Sequence, residues 1–310
     1  MPARILTNWR APVLAAFAAT LLGASGCTSL TLAVANVPAV FGDYSAQRDI
    51  PYAPEEGRLL DVYTPDGVAS VPRPVVIFLH GGGWVSGSKS QYRFVAEALT
   101  SHGYLVVVPA YRLYPATRFP GFVDDAALAV AWTRGHAQEF GGDPQRLFLM
   151  GHSAGAHIGA LLNFDERYLQ AVGGDRSWLS GFIGLSGPYD FLPLTDPILQ
   201  QVFAPESQYP LSQPVNFVDG NESPALLMHG RADATVWPMN SEHLAAKVRE
   251  HGGRVEERYF EGMTHGGTLA AMSVYYRGRR TVLDEIDAFT GVAPAHASAT
   301  SSHAAITNAR

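Results

Sequence analysis

The chain has 310 residues, 47% hydrophobic and 16% charged, a balance that excludes a disordered polar chain and suits one α/β domain with a buried core. A formal net charge of −6, with no long run of lysine or arginine, excludes the basic footprint of nucleic-acid binding, so no nucleic-acid partner is expected. The only cysteine is Cys27, which excludes an internal disulfide.

The N-terminus starts basic, with Arg4 and Arg10 and no acid, and continues as APVLAAFAATLLG, an apolar stretch of signal-peptide length. It runs into Ala24-Ser25-Gly26-Cys27, which resembles a bacterial lipoprotein signal whose cysteine is acylated and becomes the new N-terminus. The small residues before Cys27 fit that pattern, although Ala24 stands where leucine is usual. No aspartate follows Cys27, and the resemblance then implies outer-membrane retention. Two other readings stand beside it. No charge occurs from Ala11 to Gly42, as in an uncleaved membrane anchor, and Ala33-Val34-Ala35 has the form of an ordinary A-x-A cleavage site. All three export the domain, as an outer-membrane lipoprotein tethered through Cys27 or as a periplasmic protein. The expected division is a signal peptide over 1–27, a linker over 28–42, a folded domain over 43–290 and a disordered tail over 291–310.

Within the domain, Leu59 to Tyr63 reads as an early antiparallel strand. Val75 to Leu79 (VVIFL) is wholly apolar, as a strand buried on both faces should be, and Tyr104 to Val108 (YLVVV) repeats the style. So do Arg146 to Met150, Gly181 to Leu185, Ala225 to Met228 and Arg254 to Tyr259. Helical patterns lie between them. Val123, Ala127, Val130 and Ala131 share one face of a helix ending near Gly141-Gly142, and Asp124 and Asp125 at its start read as capping and dipole residues. Ser241 to Glu250 is a second helix, stopped by Gly252-Gly253. The alternation predicts a mostly parallel sheet with helices on both faces. From Ser186 to Ser223 the rhythm breaks into a proline-rich connection with no evident strand, read as a lid, a pocket wall or a disordered segment.

Two motifs follow strand ends, where open parallel sheets bind ligands. Gly151-His152-Ser153-Ala154-Gly155 puts a serine between glycines at a strand-to-helix junction, the form of a nucleophile elbow. The glycines remove side chains where strand and helix crowd, and the helix N-terminus behind Ser153 favours developing negative charge. His80-Gly81-Gly82-Gly83-Trp84 follows Leu79, and its three glycines let bare N–H groups turn toward one point, as an oxyanion loop requires. A serine hydroxyl also needs a base. Of eleven histidines, His152 and His157 sit too close in sequence to reach back, and His102, His243 and His251 lie in or near helices as solvated residues. The chain order of the fold, serine then acid then histidine, favours His265 in GMTHGG with Asp233 in HGRAD; Asp190 in SGPYD is the rival acid.

HGGGW, GHSAG, HGRAD and GMTHGG, in this order, resemble an α/β-hydrolase of the esterase/lipase group. The style is that of HGGG-type carboxylesterases and bacterial feruloyl-esterase-like enzymes. The segment from Asp124 to His157 also resembles prenylcysteine methylesterases and, more loosely, arylformamidases. The likeness spans about Leu59 to Asp287. It implies an α/β-hydrolase fold and a carboxylic-ester hydrolase acting on a small-molecule ester, with no metal or organic cofactor. By the same resemblance Ser153 attacks the carbonyl, His265 moves the proton, Asp233 holds the imidazole, and the N–H groups of Gly82, Gly83 and Ala154 hold the oxyanion. Trp84, Tyr111 and Tyr114 are expected to line the pocket. An amidase with the same triad and a non-catalytic binding protein on the same fold are the competing expectations.

Overall fold

The structure, a computed structural model, describes residues 31–54, 57–276 and 281–292. The expected signal peptide, Cys27 and all of the tail beyond Val292 lie outside the described residues.

Eight strands form one sheet: β1 (Tyr44–Pro51), β2 (Leu59–Pro65), β3 (Arg73–Leu79), β4 (Leu105–Pro109), β5 (Gly142–His152), β6 (Gly181–Leu185), β7 (Ala225–Gly230) and β8 (Val255–Phe260). Their order is β1-β2-β4-β3-β5-β6-β7-β8. The β1–β2 and β2–β4 pairs are antiparallel and the rest parallel. The helices in chain order are α1 over residues 31–39, α2 (Arg93–Thr100), α3 (Gly121–His136), α4 (Ala154–Phe164), α5 (Arg167–Ala171), α6 (Pro197–Val202), α7 (Met239–Glu250), α8 (Gly267–Ala270) and α9 (Thr281–Thr290).

The apolar runs become strands buried on both faces because successive side chains leave the sheet on opposite sides. Val75, Ile77 and Leu79 of β3 enter one core with Leu147 and Leu149 of β5 and Ala225 and Leu227 of β7. Val76 and Phe78, with Phe148, Met150, Leu226 and Met228, enter the other. Helices α3, α4 and α7 close the first core, and α1, α2 and α9 close the second. Helix α4 is buried along all of its residues, as its alanine-rich, nearly all-apolar sequence requires.

Three elements differ from the sequence expectations. Strand β1 was not expected, since its residues, YSAQRDIP, alternate in and out at an exposed edge and carry no apolar run. Strand β8 is present but half-exposed, because it pairs only with β7 and can carry Glu256, Glu257 and Arg258 at the sheet edge. Residues 31–39, expected as linker, form α1. Its Ala39 is buried, and Asn36 clips it to the body: Asn36 Nδ2 donates to Gln91 O at 2.7 Å, and Phe94 N donates to Asn36 Oδ1 at 2.9 Å. The proline-rich connection contains α6 and short 3-10 turns, and it buries Tyr189, Val202 and Phe203 against the first core. Among the described residues no helix is long and apolar enough to cross a membrane.

Candidate active site

β5 ends one residue before Ser153, and α4 begins one residue after it. To turn that corner Ser153 adopts φ 54°, ψ −120°, a region that costs a non-glycine residue on the order of 1–3 kcal/mol. Neighbours hold it there. Ser153 N donates to Leu185 O of β6 at 2.9 Å, and His157 N donates to Ser153 O at 3.0 Å, starting α4. The flanking glycines are steric necessities: a Cβ on Gly155 would lie 2.0 Å from Leu79 O, and one on Gly151 would lie 2.4 Å from the Gly155 backbone.

His265 lies between the serine and the acid. Ser153 Oγ is 2.9 Å from His265 Nε2, and His265 Nδ1 donates to Asp233 Oδ2 at 2.8 Å. Asp233 is 4% exposed, and its Oδ1 accepts the N–H groups of Thr235 and Val236, both at 2.9 Å. Burial alone would raise the Asp233 carboxyl. Hydrogen bonds from His229, His265 and the Val236 N–H outweigh it and hold the group well below the usual carboxylate range. The structure thus brings Ser153, His265 and Asp233 together. It takes Asp190 elsewhere, to a 2.7 Å contact with His243 Nδ1 on α7.

The Gly82–Trp84 loop turns through three positive φ values, 133°, 61° and 63°. A Cβ on Gly82 would collide with Ser86 O at 1.9 Å, so only glycine fits there. The N–H groups of Gly82, Gly83 and Ala154 make no hydrogen bond to another described residue. Tyr111 is buried beneath this loop; its hydroxyl donates to His80 O at 2.6 Å, and its ring stacks on His80 at 4.4 Å. Trp84 is also buried, against His157, Phe191 and Phe203, and Nε1 donates to His157 Nδ1 at 3.3 Å. Both residues brace the loop from within the core instead of forming the open pocket wall expected of them. Tyr114 holds Trp84 in turn, its N–H donating to Trp84 O at 2.9 Å.

Three histidines around the site are buried and held neutral. Burial pushes His80 and His157 down to about 4, and burial with the neighbouring His265 pushes His152 down to about 3. His152 Nε2 donates to His265 O at 3.0 Å, so a residue beside the serine fixes the loop that carries His265. His229, at the end of β7, lies 3.2 Å from Asp233 Oδ2 through Nε2, 2.9 Å from Val236 O, and accepts from Ser241 at 2.8 Å. His152 and His229 are thus supports of His265 and Asp233. No local pattern marks them as supports, since their partners lie on loops distant in sequence or across a turn. His102, expected to be solvated, is instead paired with buried Asp287 at 2.7 Å.

An apolar cleft of about 830 Å³ opens on one side of His265, and neither Trp84 nor Tyr111 lines it. A larger hollow of about 1260 Å³ lies at the opposite end of the sheet, around Pro65, Arg73, His102 and Arg146, far from the serine.

The BD-FAE family model matches residues 60–248. A probable isoprenylcysteine alpha-carbonyl methylesterase of Arabidopsis thaliana is 29% identical over 71% of this chain and 50% of its own length. Esterase LipC of Mycobacterium tuberculosis is 30% identical over 73% of this chain and 61% of its own. The chain therefore spans between half and two thirds of these curated relatives. Among solved structures, the thermophilic esterase Est2 of Thermogutta terrifontis with butyrate bound has a TM-score of 0.64 and 25% identity, covering 79% of this chain and 92% of that one. The fold is that of the α/β-hydrolases. With the matched region taking up well over half of its residues, on this sheet and around this serine, the chain belongs to the BD-FAE family.

Proposed function

We propose that the protein is a carboxylic-ester hydrolase working through a serine acyl-enzyme. The observation that carries this reading is the unbroken hydrogen-bonded series Ser153–His265–Asp233, with spacings of 2.9 and 2.8 Å, on a strained elbow. Esterase names among the relatives support it.

In this reading His265 Nε2 takes the Ser153 proton as Oγ attacks the ester carbonyl. The carbonyl oxygen becomes an oxyanion beside the unengaged N–H groups of Gly82, Gly83 and Ala154, where α4 also begins. Asp233 stabilises the imidazolium and fixes the tautomer. Collapse breaks the bond to the alcohol, which leaves with the proton from His265. A water then gives its proton to His265 and attacks the acyl-enzyme, and the carboxylic acid departs as Ser153 is re-protonated. Butyrate bound to the Thermogutta relative supports a short acyl half.

The test is hydrolysis of p-nitrophenyl acetate and butyrate by the wild type and by Ser153→Ala, with matched anilides alongside. The expected result is ester turnover that falls by about 10⁴-fold or more in the variant, with both proteins equally folded. Full activity in Ser153→Ala, or faster cleavage of anilides than of esters, would sink the reading.

A further inference from the structure

We propose that the cleft beside His265 is the subsite for the alcohol half of the ester, and that this alcohol is an apolar hydrocarbon chain packed against α1. The inference rests on the ester-hydrolase reading above. Its argument begins with the proton. The group that receives it from His265 is the leaving alkoxide, so the alcohol must sit on the face of the site that His265 lines. The cleft is lined by His265 and His152 but not by Ser153, Gly82 or Gly83, so a chain held in it would lead away from the serine past His265, on the side away from the carbonyl oxygen.

Its remaining walls come from elements far apart in sequence. Leu32 and Ala35 of α1 form one side, Tyr92 and Phe94 at the start of α2 the next, and Leu269 of α8 and Tyr276 the third. Leu32 and Ala35 also pack against the second core, and the Asn36 clip ties α1 to Gln91 and Phe94. The helix is therefore a fixed wall. Tyr276 is 55% exposed, an aromatic at the rim. The volume, about 830 Å³, falls within the range of small-molecule sites, and the walls are mostly aliphatic and aromatic. His152 at its base already spends Nε2 on the His265 carbonyl. Thr235, Ser273, Tyr275 and Tyr276 add hydroxyl-bearing residues to the lining, but the walls present more apolar than polar surface, so an alkyl chain gains more from burial here than a hydroxyl-rich alcohol does.

The test varies the alcohol alone. Acid release from methyl, butyl and octyl acetate is followed for the full chain and for the Leu32→Glu and Ala35→Trp variants, after circular dichroism shows all three folded. Since each methylene leaving water favours binding by up to roughly fourfold, kcat/KM for octyl acetate should exceed that for methyl acetate by at least about tenfold in the wild type. Either variant should bring that ratio to within about twofold of unity. A wild type that cleaves esters with no dependence on alcohol length, or that prefers acetylated sugars, overturns the inference alone. A length dependence untouched by both variants also overturns it. A folded wild type inactive on every ester removes the hydrolase reading, and the subsite falls with it.

Discussion

Asp233 does two things with its two oxygens. Oδ1 caps the turn at Thr235 and Val236, which is the ordinary use of an aspartate after a strand, and Oδ2 receives His265. One carboxylate thus caps a turn through Oδ1 and holds the His265 ring through Oδ2. His229 adds a third tie from beneath. Replacing Asp233 by asparagine keeps the size and the cap but removes the charge that fixes the His265 tautomer. Ester kcat should fall by about 10⁴-fold in Asp233→Asn while the melting temperature changes little. Steady-state kinetics beside a thermal scan would check this, and a loss of less than tenfold would mean that Asp233 does not orient the base. Ser153 and His265 were legible in the sequence because motif and chain order point to them. The choice of Asp233 over Asp190 was only favoured there, because both follow strand ends and only the fold sends Asp190 to His243.

At the scale of elements, α3 shows a different outcome. Asp124 and Asp125 at its start invited a capping role, yet the α3 N-cap position is Pro120 and no side chain caps the helix. Asp125 is fully buried and works as an anchor. Oδ1 accepts from Arg58 Nε at 2.8 Å and Arg112 Nη2 at 2.8 Å, and Oδ2 accepts from Arg112 Nε at 2.8 Å and Arg112 N at 3.0 Å. It thereby joins α3 to the segment before β2 and to the loop after β4, near Tyr111. Removing one charge leaves the arginines facing a neutral group in the interior. Asp125→Asn should destabilise the protein by about 3–5 kcal/mol, read as a lower urea midpoint with an unchanged slope. An unchanged midpoint would show that the arginines find water or another partner. Helix α1 was not legible at all. Its sequence continues the charge-free stretch that precedes it, and only packing against α2 shows that it belongs to the domain.

For the whole molecule, the buried histidines tie stability to pH. Burial lowers His80, His152 and His157 to about 4, 3 and 4 in the folded chain. Unfolded, each would titrate near 6.5, so between about pH 6.5 and 4 the unfolded chain binds protons that the folded chain refuses. Stability must therefore fall as pH drops through that window, by up to about 2 kcal/mol per histidine at pH 5. Asp233, held low in the folded state, adds a loss only further down, below the ordinary aspartate range near 3.9. Urea midpoints at pH 7 and pH 5 would measure the first effect. The His157→Gln variant should show a smaller drop than the wild type, and equal drops would remove His157 from the account. These three histidines stay neutral from pH 5 to 8, so they contribute no protonation of their own to an activity profile over that range.

The sequence by itself determined the doubly covered parallel sheet, because runs such as VVIFL can only be buried on both faces, and it determined the two glycine-rich corners, because a Cβ at Gly82, Gly151 or Gly155 would collide with backbone. Its readings stopped where the signal was not local. Edge strand β1 has no apolar run, Trp84 and Tyr111 look like pocket residues until their neighbours are known, and Asp125 looks like a cap until Arg58 arrives from 67 residues away. Tertiary structure alone decided which aspartate meets His265, which histidines support it and which helix walls the cleft. Each of those depends on side chains from separate elements reaching one point, and pairing across such distances leaves no periodicity in the chain.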